Sequence, residues 1–303
     1  MIRALLTGCR GQVGTDLARV LGGRAEVVAH DHASLDLADP DAIVARVREA
    51  RPDVILNAGA YTAVDKAESD PQAAHAVNGN APGLLGEEAK RCGALLVHFS
   101  TDYVFDGTKR SPYVETDPTA PVSAYGASKL EGERAVAACG CDHLILRTSW
   151  VYAAHGKNFM LTMLRLAATQ DEIRVVDDQR GAPTASRQIA RAVAQLLGAQ
   201  EDARPIEREG LERLRAASGV YHATAAGETS WFEFAQAIFA GRAERRGHAF
   251  ESPRLLAIST REYPTPARRP AYSVLSNGKL VAAFGVRLAD WREGLRETLS
   301  ALD

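Results

Sequence analysis

Through the first half of the chain, short unbroken apolar runs alternate with longer stretches whose apolar positions recur at helical spacing. The runs predict strands over residues 2–7, 26–31, 53–58, 94–100 and 143–148. The stretches between them predict helices over residues 13–21, 40–50, 71–91 and 124–138. Pro40 and Pro71 each follow an aspartate, which puts a side-chain acceptor at the N-cap and a proline at the first helical position. Strands that are apolar throughout are buried on both faces, so their alternation with helices implies an α/β fold around a doubly wound parallel sheet.

After Trp150 the rhythm loosens. A strand begins near Ile173, a polar turn covers residues 178–181, and a helix runs to about Leu197. Residues 201–218 are dense in charges of alternating sign and are expected to be a solvated helix or surface insertion. A strand at 220–223, a helix at 231–239, a strand at 255–258, a proline-rich loop and a final helix from Asp290 suggest a smaller lobe.

Composition narrows the function classes. The 303 residues are 46% hydrophobic and 24% charged, as in an ordinary globular protein of about two domains or of one large α/β domain with a lobe. Lys and Arg number 36 against 38 Asp and Glu, a net charge of −2, which gives no bulk attraction to nucleic acid or an acidic membrane. Four irregularly spaced cysteines form neither a disulfide framework nor a paired zinc motif. No leader-like start and no long apolar run is present, so a soluble, cytoplasmic protein is expected.

Candidate chemistry begins right after the first strand. Gly8, Arg10, Gly11, Gln12, Val13 and Gly14 span a GxxGxxG loop that opens the first helix. Glycines there allow a tight turn, backbone approach to a pyrophosphate and close helix packing, and the helix N-terminus faces the anion. Asp31 ends the second strand, where an acceptor for a ribose hydroxyl belongs, so the first half reads as a Rossmann-like dinucleotide domain. Asp31 favours NADH and Arg10 could pair with a 2′-phosphate, which leaves NADPH or NADH open. Asp36 and Leu37 are expected to frame the adenine, and Ala60, Tyr61 and Thr62 to lie along the pyrophosphate and nicotinamide ribose.

Tyr125 and Lys129 lie four residues apart, hence on one helix face. A phenol near a cation titrates lower and can exchange a proton near neutrality. The pair could equally sit on an ordinary surface helix, but Ser100-Thr101-Asp102-Tyr103-Val104-Phe105 brings hydroxyls to the same sheet edge.

These motifs, with Asn57-Ala58-Gly59-Ala60, resemble the extended short-chain dehydrogenase/reductase superfamily. The runs at 62–68, 147–152, 178–184 and 263–270 are similar to one family within it, the dTDP-4-dehydrorhamnose reductases. The resemblance covers nearly the whole chain and implies reduction of the C4 ketone of dTDP-4-dehydro-6-deoxy-L-mannose to dTDP-L-rhamnose. It implies Tyr125 as proton donor, Lys129 on the nicotinamide ribose, Thr101 as hydrogen-bond donor to the ketone, and Asp102 and Trp150 at the sugar. Arg268 and Arg269 are candidate diphosphate contacts. Residues 1–150 would bind the dinucleotide, and residues 151–303 would form mainly the sugar-nucleotide lobe, with some segments returning to the sheet.

Some relatives are magnesium-bridged dimers that use an acidic residue after the last helix's tryptophan. Here Arg292 follows Trp291, and although Asp16 matches another such position, magnesium is doubtful and a monomer or weak homodimer is expected. The alternatives are a nucleotide-sugar epimerase or dehydratase and a non-catalytic regulatory subunit of methionine adenosyltransferase type.

Overall fold

The computed structural model describes residues 1–199, 204–247 and 250–302. The first strands are β1 (Arg3–Thr7), β2 (Glu26–His30), β3 (Val54–Asn57), β4 (Leu95–Thr101) and β5 (His143–Thr148). With β10 (Gly219–His222) they form one parallel sheet in the order β10-β5-β4-β3-β1-β2. Every residue of β3 and β4 is buried, as continuous apolar runs require when both faces are covered. Helices α1 (Gln12–Leu21), α8 (Ser186–Leu196), α9 (Glu209–Ala216) and α11 (Gly278–Phe284) cover one face. On the other lie α2 (Pro40–Ala50), α5 (Ala81–Cys92) and α6 (Ala124–Cys139).

The aspartate-proline starts fold as expected: Asp39 accepts from the amides of Asp41 and Ala42, and Asp70 from that of Ala73. The helix expected over 71–91 is helical without a gap to Cys92, as α4 (Pro71–His75), a π-turn (Ala76–Asn80) and α5. Pro82 has no N–H to return to the carbonyl of Asn78, and the Asn78 side chain is committed elsewhere. It accepts from Tyr61 N and donates to Tyr61 O, both at 2.9 Å, which anchors the loop after β3. A short helix α3 (Val64–Ser69) follows that loop.

The remaining elements are β6 (Val151–Tyr152), α7 (Phe159–Ala167), β7 (Glu172–Val176), β8 (Arg180–Gly181), β9 (Thr184–Ala185), β11 (Thr229–Ser230), α10 (Trp231–Arg246), β12 (Arg254–Ile258) and α12 (Trp291–Ser300). A second core lies among α7, α10 and α12, with Phe234, Ile238 and Trp291 at its centre. Of the charged stretch at 201–218, residues 201–203 lie outside the described residues, and α9 turns Leu211 and Leu214 into the main core. Among the described residues, no helix is long and apolar enough to cross a membrane.

Candidate active site

A cavity of about 660 Å3 opens where the loops leave the carboxyl ends of β1 to β5. Of the expected cofactor residues, Gly8, Arg10, Gly11, Gln12, Val13, Asp31, Asp36, Leu37, Ala60, Tyr61, Thr62, Tyr125 and Lys129 line it. Gly14 lies beneath: a Cβ there would come 2.1 Å from the Gly8 carbonyl oxygen, so glycine is what lets α1 approach the loop. Gly8 has φ +65°, and a Cβ on it would meet the Gly59 backbone at 2.6 Å. Ser100 Oγ, Thr148 Oγ1 and Tyr61 Oη are buried without a protein partner, and all three residues line the cavity. Unpaired hydroxyls and a bare glycine cradle at a helix start suit a ligand with phosphate and sugar oxygens, so a dinucleotide fits. Sequence reasoning missed Thr148, Gly156 and Lys157 as lining residues.

Arg10 and Asp31, set against each other as guides to the cofactor, form an ion pair at 2.9 Å. The Ser34 hydroxyl and amide, then Arg10, hold the Asp31 carboxyl below its ordinary range.

Tyr125 and Lys129 sit on α6, whose start is capped by Ser123 and held by Glu68 Oε1 accepting from Ala124 N at 2.8 Å. Lys129 is buried and its Nζ donates to Phe99 O at 2.6 Å, with His98 Nε2 at 3.4 Å. Burial pulls the ammonium down to about 8, against the opposing pull of Glu133. The Tyr125 phenol is pushed up to about 12, chiefly by burial and next by the Asp102 charge, while a hydrogen bond with Thr101 acts the other way. The expectation of a lowered phenol is therefore corrected: the lysine nitrogen is turned to the Phe99 carbonyl, and burial wins.

Thr101 ends β4 and donates to Asp102 Oδ1 at 3.0 Å. Asp102 is buried, and burial raises its carboxyl to about 7 against the opposing pull of the Ser273 and Thr101 hydroxyls. Tyr103 stands edge-on to Tyr125 at 5.9 Å and within electrostatic reach of Arg269.

A second cavity of about 550 Å3 is lined by Phe159, Met163, Gln179, Trp231, Tyr263 and Arg269, among others. Arg269 pairs with Asp65 at 2.9 Å, whereas Arg268 is exposed and lines neither cavity. Trp150, expected to offer its ring to a sugar, lies flat on Trp231 at 3.5 Å and against Gly181. Trp231, with Phe159 and Tyr263, lines the cavity, and sequence reasoning passed over Trp231 because its importance comes from that long-range stacking.

Asp16 is buried in α1, accepting from Ser186 Oγ and Arg19, and the Arg292 guanidinium lies over Trp291. Among the described residues, no group of three or more His, Cys, Asp or Glu side chains could hold a metal.

The doubly wound sheet, the glycine loop at its first turn and the Tyr125–Lys129 pair in one cavity define a Rossmann-type reductase of the short-chain dehydrogenase/reductase class. Residues 2–303 match the family described as RmlD substrate binding domain, and the chain belongs to that family. A dTDP-4-dehydrorhamnose reductase of Burkholderia thailandensis is 53% identical over 296 residues, covering 96% of each chain. One of Escherichia coli K12 is 41% identical over 302 residues, covering 98% of this chain and 97% of that one. The solved structure of a Bacillus anthracis dTDP-4-dehydrorhamnose reductase in complex with NADP superposes with a TM-score of 0.88 at 32% identity, covering 99% of both chains.

Proposed function

We propose that this protein is an NAD(P)H-dependent oxidoreductase that reduces the C4 ketone of dTDP-4-dehydro-6-deoxy-L-mannose to dTDP-L-rhamnose, the last step in making that sugar nucleotide. The observation that carries this reading is the presence of Tyr125 and Lys129 in the same cavity as the Gly8–Gly14 loop. Relatives named dTDP-4-dehydrorhamnose reductase that align over 96% and 98% of this chain support the substrate.

A nicotinamide cofactor held by the Gly8–Gly14 loop and Lys129 would supply the hydride that the ketone carbon takes up. As negative charge grows on the ketone oxygen, Tyr125 donates its proton. Its raised pKa keeps the phenol loaded with that proton across the neutral range, the state that a reduction needs. Thr101 lies beside it as a second hydroxyl donor, and oriented donors help most where charge develops only in the transition state. Lys129 holds the nicotinamide ribose. The paired Arg10 and Asp31 can serve either cofactor: Asp31 takes a free 2′-hydroxyl, and Arg10, released, takes a 2′-phosphate. Arg269, Trp231 and Gln179 line the sugar-nucleotide side, with Trp150 supporting Trp231. Residues 1–150 carry the cofactor, and the later lobe the sugar nucleotide. The enzyme works in the cytoplasm, as a monomer or weak homodimer, without a bridging metal.

The test follows loss of NADH or NADPH absorbance with the dTDP-4-keto sugar generated in situ. Turnover by the wild type and a loss of roughly 100-fold or more in Tyr125→Phe are expected; no turnover, or full turnover in the variant, overturns the reading.

A further inference from the structure

Three buried side chains that the proposed mechanism leaves unused form a row that ends on Lys129. Thr7 and Asn57, at the carboxyl ends of β1 and β3, and His98, midway along β4, stand opposite one another in register, and Lys129 closes the row from α6. All four are almost completely buried. Gly59 N donates to Thr7 Oγ1 at 3.1 Å, Thr7 Oγ1 to Asn57 Oδ1 at 2.7 Å, Asn57 Nδ2 faces His98 Nδ1 at 3.0 Å, and His98 Nε2 lies 3.4 Å from Lys129 Nζ.

Counting protons gives the row a direction. Thr7 accepts from Gly59, and because Asn57 Oδ1 can only accept, the Thr7 proton is directed to it. Asn57 then turns its NH2 to His98, whose Nδ1 must be bare. Burial, and next the Lys129 charge, keep the ring neutral, so its single proton sits on Nε2 and points at Lys129. An ammonium has no lone pair to receive it. An amine has one, and can still donate to Phe99 O.

We propose that His98 is a positioning residue for the reduction, delivering to Lys129 a hydrogen bond whose direction is set where Thr7 donates to Asn57 and is passed on by the Asn57 amide, so that the end of β1 and the charge on Lys129 are coupled. Gly59, the donor to Thr7, lines the cavity, and a Cβ there would press on Leu37 at 2.6 Å. Turning the Asn57 amide over would reverse the ring tautomer and leave Nε2 as an acceptor for the ammonium. The other groups near the amine do not supply this coupling. Glu133 of α6 favours the ammonium but is held by Arg147 of β5, Tyr125 shares the cavity, and Asp102 faces Tyr125. On the neighbouring helices, His75 pairs with the half-exposed Glu131, and Glu68 caps Ala124.

The inference rests on the proposed role of Lys129, so the test pairs turnover with a reading that needs none. Nitrogen-15 NMR of the His98 ring at about pH 9.5, where the amine prevails, is expected to show the Nε2–H tautomer in the wild type. Asn57→Asp, which can only accept, and Thr7→Val, which frees the Asn57 amide to turn, are expected to show Nδ1–H. In both variants the basic limb of kcat/KM, expected near 8 in the wild type, moves up, by about one pH unit in Asn57→Asp. Thermal unfolding confirms that each variant is folded, and Thr7→Val, nearly isosteric, serves if Asn57→Asp is not. An Nδ1–H ring in the wild type, or a tautomer and limb unmoved in the folded variants, overturns the coupling. A wild type that shows the expected tautomers without turnover overturns the functional reading instead.

Discussion

Asp65 Oδ2 accepts from Arg269 Nη2 at 2.9 Å, tying the helix after β3 to a proline-rich loop 204 residues further along the chain. Asp65 Oδ1 also accepts from Ala267 N at 3.2 Å, and Arg269 reaches Thr265 Oγ1, so one carboxylate shapes the rim of the second cavity. Asp65→Ala is expected to raise KM for the sugar nucleotide several-fold while leaving kcat nearly unchanged. In a cycle with Arg269→Ala the two effects should be less than additive, because each variant breaks the same link. Full additivity would show that the pair does not act together.

Arg10 and Asp31 make the cofactor preference separable. Arg10→Ala removes the partner for a 2′-phosphate and should raise KM for NADPH by roughly tenfold, the scale of one charge-assisted hydrogen bond, with little effect on NADH. Asp31→Ala should do the reverse, weakening NADH and sparing NADPH. Steady-state kinetics with both cofactors decide it, and equal losses with both would refute the division of roles.

What could be read from sequence, and what could not, follows the reach of each interaction. The five first strands match their apolar runs to within one residue at either end, and α2 matches its expected bounds, because strand burial and the Asp39–Pro40 start are properties of neighbouring residues. The π-turn escaped because it depends on Asn78 meeting Tyr61 and Ser128, 17 and 50 residues away. The spacing of Tyr125 and Lys129 brought them into one cavity, but the direction of the phenol shift was misread. That direction is decided by burial and by Asp102, which no local pattern reports. Trp231 and the Asp65–Arg269 link were missed for the same reason, since each takes its meaning from a distant partner.

Glu133 and Arg147 form a bidentate pair at 2.9 and 2.7 Å, with both side chains only 5% exposed. The guanidinium also lies over Phe105, so the pair pins α6 to β5 behind Lys129. Removing one partner strands the other charge in the core, a loss of roughly 3–5 kcal/mol. Glu133→Leu is therefore expected to lower the unfolding free energy by that order in urea titration. The double variant Glu133→Leu/Arg147→Met should recover much of it, and failure to recover would mean that the pair is needed for packing rather than charge balance.

Asp102 gives stability a pH dependence of known sign. Burial raises its carboxyl from the ordinary 3.8 to about 7 in the folded chain. Between those values the folded state holds a proton that the unfolded chain has released, so folding is favoured on the acid side and weakens as pH climbs through the window. Above about 7 the contribution is flat, because both states are then ionised. A shift of about three pH units corresponds to a loss on the order of 4 kcal/mol across the window. Asp102→Asn keeps the shape and carries no proton to lose. Urea unfolding at about pH 5 and pH 8 should therefore show the wild type losing a few kcal/mol more than the variant between the two. The other titrating groups are common to both proteins and cancel in the comparison. Parallel losses would place the Asp102 carboxylate in a polar setting where ionisation costs nothing, and its part beside Tyr125 would then be that of a permanent anion.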